Sequence, residues 1–135
     1  MDWHPETNRI ISASHDRNIL VWNYNTTKSA WTPELVNFKV KVSILDVKWS
    51  KRGDKFVTTT GSKLVSTGYY DDELKMWNCK SMKDHKSSVT CARFDNSGMF
   101  ILSGSTDLKA IISSAYIPEI DNNYSNQPLP FDLVN

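Results

Sequence analysis

MDWHPETNRIISASHDRNILVW, residues 1–22, holds the pattern on which the fold of this chain turns. The aromatic Trp3 is followed by a polar turn, by the apolar pair Ile10 and Ile11, and by the small residues Ser12, Ala13 and Ser14. An acid at Asp16 and a β-rich run ending Ile19-Leu20-Val21-Trp22 complete the unit. The same order returns twice. Trp49 and Phe94 stand 46 and then a further 45 residues beyond Trp3. Phe56 and Val57 precede Thr58-Thr59-Thr60, and Ile101 and Leu102 precede Ser103-Gly104-Ser105. The turn position passes from Asp16 to Ser62 to Asp107 at the same intervals. Self-similarity at such a period marks a chain made of one supersecondary unit repeated, each copy burying its faces against its neighbours.

The ending of the first copy, Ser14 and Asp16 followed by Ile19, Val21 and Trp22, resembles the second half of a WD repeat, the unit of one β-propeller blade. Trp22 and Trp77 look like paired signature tryptophans, but they are 55 residues apart, which would need a nine-residue insertion. A constant offset of 46 instead pairs Trp31 with Trp77, Tyr24 with Tyr70 and Trp22 with Gly68, without a gap. The second copy therefore lacks the signature tryptophan, and Trp77 falls on the outermost strand. The third copy carries Ser113 in the place of Trp22.

The expected architecture is all-β, about three four-stranded blades. The first blade (residues 1–40) takes strands at 1–4, 9–14, 18–23 and 29–38; the second (41–83) takes 44–50, 55–60, 63–70 and 74–80. The third (84–120) takes 89–94, 100–105 and 109–113, with 115–120 as its last strand. Turns fall at His4-Pro5, Arg52-Gly53-Asp54, Tyr70-Asp71-Asp72 and Asn96-Ser97-Gly98, where proline, glycine and short polar side chains favour reversal. Residues 121–135 are rich in Asn, Asp and Pro and read as a linker or disordered tail.

Sixteen Lys+Arg against fifteen Asp+Glu leave a formal charge of +1, so bulk electrostatics implies neither a nucleic-acid nor a membrane partner. No apolar run approaches the ~20 residues of a membrane-spanning helix, and the first residues do not form a signal peptide. Cys79 and Cys91 lack metal-ligand spacing and read as reduced structural thiols of a cytosolic protein. The glycosylation-type triplets at Asn25 and Asn123 would go unused there.

Chemical sites are weighed against plainer readings. Ser14, His15 and Asp16 are contiguous, so their side chains diverge rather than converge as a hydrolase triad requires. Asp71-Asp72-Glu73 lacks the spaced ligands and glycine of a calcium loop and reads as a solvated turn. His4, His15 and His85 lie in separate segments without zinc spacing. No phosphate-binding glycine loop or nucleic-acid motif is present, so no cofactor, metal or catalytic residue is expected. Lys39 and Lys41, Lys51, Arg52 and Lys55, and Lys80, Lys83 and Lys86 read as solvated faces and loop rims. Asp16 and Asp107 are expected to accept backbone hydrogen bonds in their turns. Resemblance to WD repeats further implies that Asp107, loop His85 and either Ser103 or Ser105 join in a buried polar network.

A narrower resemblance rests on three irregular blades in a particular order. A clear signature at Trp22 comes first, then a blade lacking it with Trp77-Asn78-Cys79-Lys80, then Ser114-Ala115-Tyr116-Ile117. This succession is similar to the WD-repeat subunit family of the actin-related protein 2/3 complex, over about the first 120 residues. The resemblance implies a closed seven-bladed ring of which this chain supplies three blades, hence a piece of a longer protein, marginal or partner-dependent at this length. It also implies a scaffold in a hetero-oligomer, contacting actin-related proteins and other subunits and the actin filament indirectly, in the cytoplasmic actin cytoskeleton. Nucleotide would be bound by the actin-related subunits. Trp31 and Trp77, on outer strands, are candidate interface residues, though either would serve equally as packing against the neighbouring strand. The alternatives are a WD scaffold of another assembly, or a fragment without its own function.

Overall fold

A computed structural model describes residues 1–121. Eleven strands and one helical turn follow in order: β1 Asp2–His4, β2 Arg9–Ala13, β3 Ile19–Asn25, β4 Ala30–Leu35, β5 Ile44–Trp49, β6 Lys55–Thr60, β7 Val65–Asp71, β8 Met76–Met82, β9 Val89–Phe94, β10 Phe100–Ser105, β11 Ala110–Ser114 and α1 Pro118–Asp121. They form two antiparallel four-stranded sheets, β1-β2-β3-β4 and β5-β6-β7-β8, and a three-stranded sheet, β9-β10-β11. These are the blades of a WD-repeat propeller arc, with the inner strands β1, β5 and β9 packed blade to blade.

The sequence repeat is also a repeat of backbone conformation. Arg17, Lys63 and Leu108, spaced 46 and 45 residues apart, all adopt left-handed φ, at 73°, 60° and 66°. Ser29 and Lys75, again 46 apart, do the same at 49° and 52°. Each sits in a hairpin turn whose twist demands positive φ, and the fold sets that demand above side-chain preference. Gly53 and Gly98 fill a third such position at φ 71° and 73°, where a Cβ would also meet the His4 ring and Thr7 in the case of Gly53.

Alternation along the strands gives each blade two faces, and the blade interfaces are the core. Ile11, Ile19, Val21 and Val36 of the first blade bury against Ile44, Val47, Trp49, Phe56 and Trp77 of the second. Val57 and Val65 of the second bury against Val89, Ala92, Ile101 and Ala115 of the third. Within the second blade Phe56 lies directly opposite Gly68. A Cβ on Gly68 would stand 2.0 Å from Phe56 Cζ. In the first blade the equivalent pair is Ile10 opposite Trp22. The aromatic ring has changed strands, which is why the second copy holds glycine where its signature tryptophan would be.

Two expectations are corrected. Residues 115–120 do not form a last strand: the chain leaves β11, bonds Ala115 N–H to Met99 O (2.7 Å), and winds into α1. Pro118 opens that turn with φ preset and no N–H to lose, and the Asp121 carboxylate accepts the Ile117 N–H at 2.7 Å. Asp121, read as the first residue of a tail, is buried. Residues 122–135, with the tail reading and the Asn123 triplet, lie outside the described residues.

Candidate functional site

The third blade brings its polar residues together around His85, on the loop that leads from β8 into β9. His85 Nδ1 lies 3.0 Å from Asp107 Oδ2, and Nε2 lies 2.8 Å from Ser103 Oγ. Asp107 also accepts the backbone N–H groups of Lys86 (2.8 Å) and Lys109 (2.9 Å). The Lys86 N–H, aided by His85 and the Lys109 N–H, holds the Asp107 carboxyl down at about 2, against the burial that opposes it. An ionised carboxylate only accepts, so Nδ1 carries a proton toward Asp107, while Nε2 shares a hydrogen bond with the Ser103 hydroxyl, which also lies 3.4 Å from Ile111 O. Ser103 and His85 are buried, which closes this Ser-His-Asp arrangement off from solvent.

Of the two serine alternatives, Ser103 meets the histidine. Ser105 instead donates to Ser88 O at 2.7 Å and accepts the Asp107 N–H at 3.1 Å, fixing the turn. In the first blade Asp16 accepts the Asn18 N–H at 3.1 Å, and the Trp22 indole donates to Ser12 Oγ at 2.9 Å. Ser113, in Trp22's place, reaches Asp84 at 3.5 Å. His15 is exposed and takes no part.

Trp31 and Trp77 occupy equivalent positions with opposite fates. Trp77 is 2% exposed. It stacks edge-on to Trp49 and Tyr70 at 5.6 and 5.5 Å, lies under the Arg9 guanidinium at 5.6 Å, and donates Nε1–H to Glu34 at 3.0 Å. Of the two readings left open by the sequence, interface anchor or packing, its surroundings are those of packing, between the first two blades. The first blade covers this face of the second, and sequence position on an outer strand does not say which face is covered. Trp31, 38% exposed, packs edge-on to Tyr24 at 5.3 Å and lines an apolar recess with Met1, Ile10, Ser12 and Trp22.

Several contacts that position the blades were not visible in the sequence. Lys55, placed on a solvated rim by its basic neighbours, is wholly buried; its ammonium donates to Gly98 O (2.9 Å), Ala115 O (2.8 Å) and Asp121 Oδ2 (2.5 Å). Burial pushes its pKa below the ordinary lysine value, and the Asp121 carboxylate only partly restores it. His4 donates Nε2–H to Lys51 O (2.8 Å) while Nδ1 accepts from the Thr7 N–H (3.2 Å). Asp2 accepts the Trp49 N–H at 2.9 Å, and Arg93 reaches Asp46 at 2.6 Å. Burial raises the Cys79 thiol to about 12, so that sulfur stays protonated. Among the described residues no three His, Cys, Asp or Glu side chains gather as a metal site, and no helix is long and apolar enough to cross a membrane.

Repeated four-stranded antiparallel sheets with the Asp-turn and His-Ser network define a chain of WD-repeat β-propeller class. The family described as "WD domain, G-beta repeat" matches residues 1–23 and 79–112, passing over the part of the second blade that holds Gly68. Within that class the chain belongs to the family of actin-related protein 2/3 complex subunit 1. It is 34% identical over 131 residues to subunit 1A of Arabidopsis thaliana, covering 96% of this chain and 34% of the relative. It is 32% identical over 129 residues to subunit 1A-B of Xenopus laevis, covering 95% and 34%. Subunit 1 of Schizosaccharomyces pombe is 30% identical over 139 residues, covering 99% and 37%. The chain spans about a third of the length of the curated relatives it matches.

Proposed function

We propose that this chain serves as scaffold, not catalyst: a portion of the propeller subunit of an actin-related protein 2/3 complex. There it holds neighbouring subunits and the actin-related proteins in place for nucleation of branched actin filaments. The observation that carries this reading is likeness to subunit 1 proteins along nearly the whole chain. The buried state of Ser103, His85 and Asp107 supports a packing role over turnover, because a hydroxyl shielded from solvent meets no substrate. Contact with the rest of the assembly, further blades included, falls to exposed apolar surface, above all Trp31 and Trp3 on the open face of the first blade. The protein then works in the cytoplasm on the actin cytoskeleton, in a hetero-oligomer, without a cofactor, nucleic acid or membrane of its own.

Affinity purification of the tagged chain from its native cells, with mass spectrometry of what accompanies it, tests this. Two actin-related proteins and further subunits in fixed proportion are expected. A preparation carrying other WD-repeat partners, or none, overturns the assignment.

A further inference from the structure

Ile11 opposite Val21, Val57 opposite Thr67 and Leu102 opposite Ile112 are one pair of positions in the three copies of the repeat. The first pair is buried against the second blade, and Val57 of the next pair against the third. Leu102 and Ile112 are instead 54% and 65% exposed. The receiving face repeats in the same way. Trp49, Phe56 and Trp77 of the second blade are buried under the first. Their counterparts on the first blade are uncovered: Trp3 is 59% exposed, and Ile10 and Trp31 line an open recess. The molecule thus carries one half of a blade junction on its third blade and the complementary half on its first.

The two halves suit each other chemically. At the start of the second strand of a blade stand Arg9 and Lys55, and each reaches into the next blade, Arg9 over the Trp77 ring and Lys55 to Asp121. Phe100 holds that position in the third copy and lines a recess with Phe94, Leu102 and Ile112. Placed as Arg9 is, Phe100 meets the counterpart of Trp77, which is Trp31, ring against ring. No stranded charge opposes the contact. Arg93 at the rim is held by Asp46, and Asp95 by the N–H groups of Ser97, Met99 and Phe100. The recess on the first blade is lined by Met1, Ile10, Ser12, Trp22 and Trp31, none with a charged side chain. A surface matched to the opposite end of an identical molecule makes heterologous contacts, which close into a ring or extend as an arc.

We propose that copies of this chain stack head to tail, with Phe100, Leu102 and Ile112 of one seated on Ile10, Trp22 and Trp31 of the next. The contact continues the two junctions already present within the molecule, and it rests on the repeat rather than on the scaffold reading above. Mass action leaves both faces open in dilute chain.

Sedimentation of the full chain from about 1 μM to about 100 μM, a span that brackets micromolar affinity, tests the association. The mean mass is expected to rise from that of a monomer to that of a dimer or beyond; a monomer throughout overturns the proposal. Two variants test its direction, Trp31→Glu on the first blade and Ile112→Glu on the third, with circular dichroism to confirm that each is folded. Each spoils one half of every junction it would make with itself, so each alone stays monomeric. Mixed in equal amounts they form a dimer, because the third blade of Trp31→Glu and the first blade of Ile112→Glu are both intact. A mixture that stays monomeric, or a single variant that associates as the parent does, overturns the head-to-tail contact. Should either variant unfold, Trp3→Glu and Leu102→Glu, on the same two faces, replace them with the same expectations.

Discussion

Lys55 of the second blade and Asp121 of the third are joined across the blade interface at 2.5 Å, with both side chains wholly buried. The ammonium bonds two backbone carbonyls as well, so one side chain holds the β9–β10 turn, the exit of β11 and α1 together. Removing Asp121 leaves the Lys55 ammonium desolvated without its carboxylate, which costs about 3–5 kcal/mol, whereas Asp121 without Lys55 keeps Arg52 at 3.5 Å and the Ile117 N–H. Lys55→Met and Asp121→Ala should each lower the urea midpoint sharply. The double variant should be less damaged than the sum of the two, and simple additivity would show that the pair is not coupled.

The exchange of Phe56 for a signature tryptophan predicts a paired effect. Gly68→Ala drives a methyl into the Phe56 ring and should destabilise by about 1–3 kcal/mol. Phe56→Ile combined with Gly68→Ala relieves the overlap, so the double variant should unfold at higher denaturant than Gly68→Ala alone.

Leu108 is 96% exposed and held at φ 66°, so its side chain gains nothing from burial while its backbone is strained. Leu108→Asn should raise stability by about 1 kcal/mol, read as an upward shift in Tm. Thr67 offers a parallel case inside the core: its buried hydroxyl has no hydrogen-bond partner among the described residues. Thr67→Val, of the same shape, should stabilise by about 1 kcal/mol.

Acid should loosen the third blade first. The Asp107 carboxyl titrates at about 2 in the folded chain, against about 3.9 for a free aspartate. Its contribution is therefore complete above about pH 4 and disappears as pH falls toward 2. Asp95 acts in the same direction. Burial alone would raise it, but the Ser97 hydroxyl and the N–H groups of Phe100, Ser97 and Met99 outweigh burial and lower it. A Tm series from pH 7 to pH 2 should drop between pH 4 and 2 in the parent chain, and Asp107→Asn should flatten that drop. An unchanged slope would mean the network contributes nothing to acid stability.

The blades were legible because the repeat is written in strand alternation and in the turns after Asp16, Ser62 and Asp107, a pattern set within each sheet even where its side chains bury against the next blade. The network of His85 and Asp107 with Ser103 or Ser105 was expected only from the resemblance to WD repeats, and its contacts lie within one blade. What escaped the reading lies between blades. Lys55 follows Arg52, Gly53 and Asp54, so it reads as part of a polar turn, and nothing nearby in sequence indicates a carboxylate 66 residues later. Ala115, Tyr116 and Ile117 look like a strand until Pro118 and the buried Asp121 turn the chain. Trp31 and Trp77 share a repeat position, and only the stacking of blades separates an exposed ring from a buried one.

The central claim is that the open face of the first blade is a packing surface that a neighbour covers in the assembly, the equivalent face of the second being already filled by the first blade. Hydroxyl-radical footprinting of the chain, alone and within the purified assembly, tests it at single tryptophans. Trp3 and Trp31 should be oxidised in the free chain and protected in the assembly, with Trp77 protected in both. Equal oxidation of Trp31 in the two states, or ready oxidation of Trp77 in the free chain, would contradict the account.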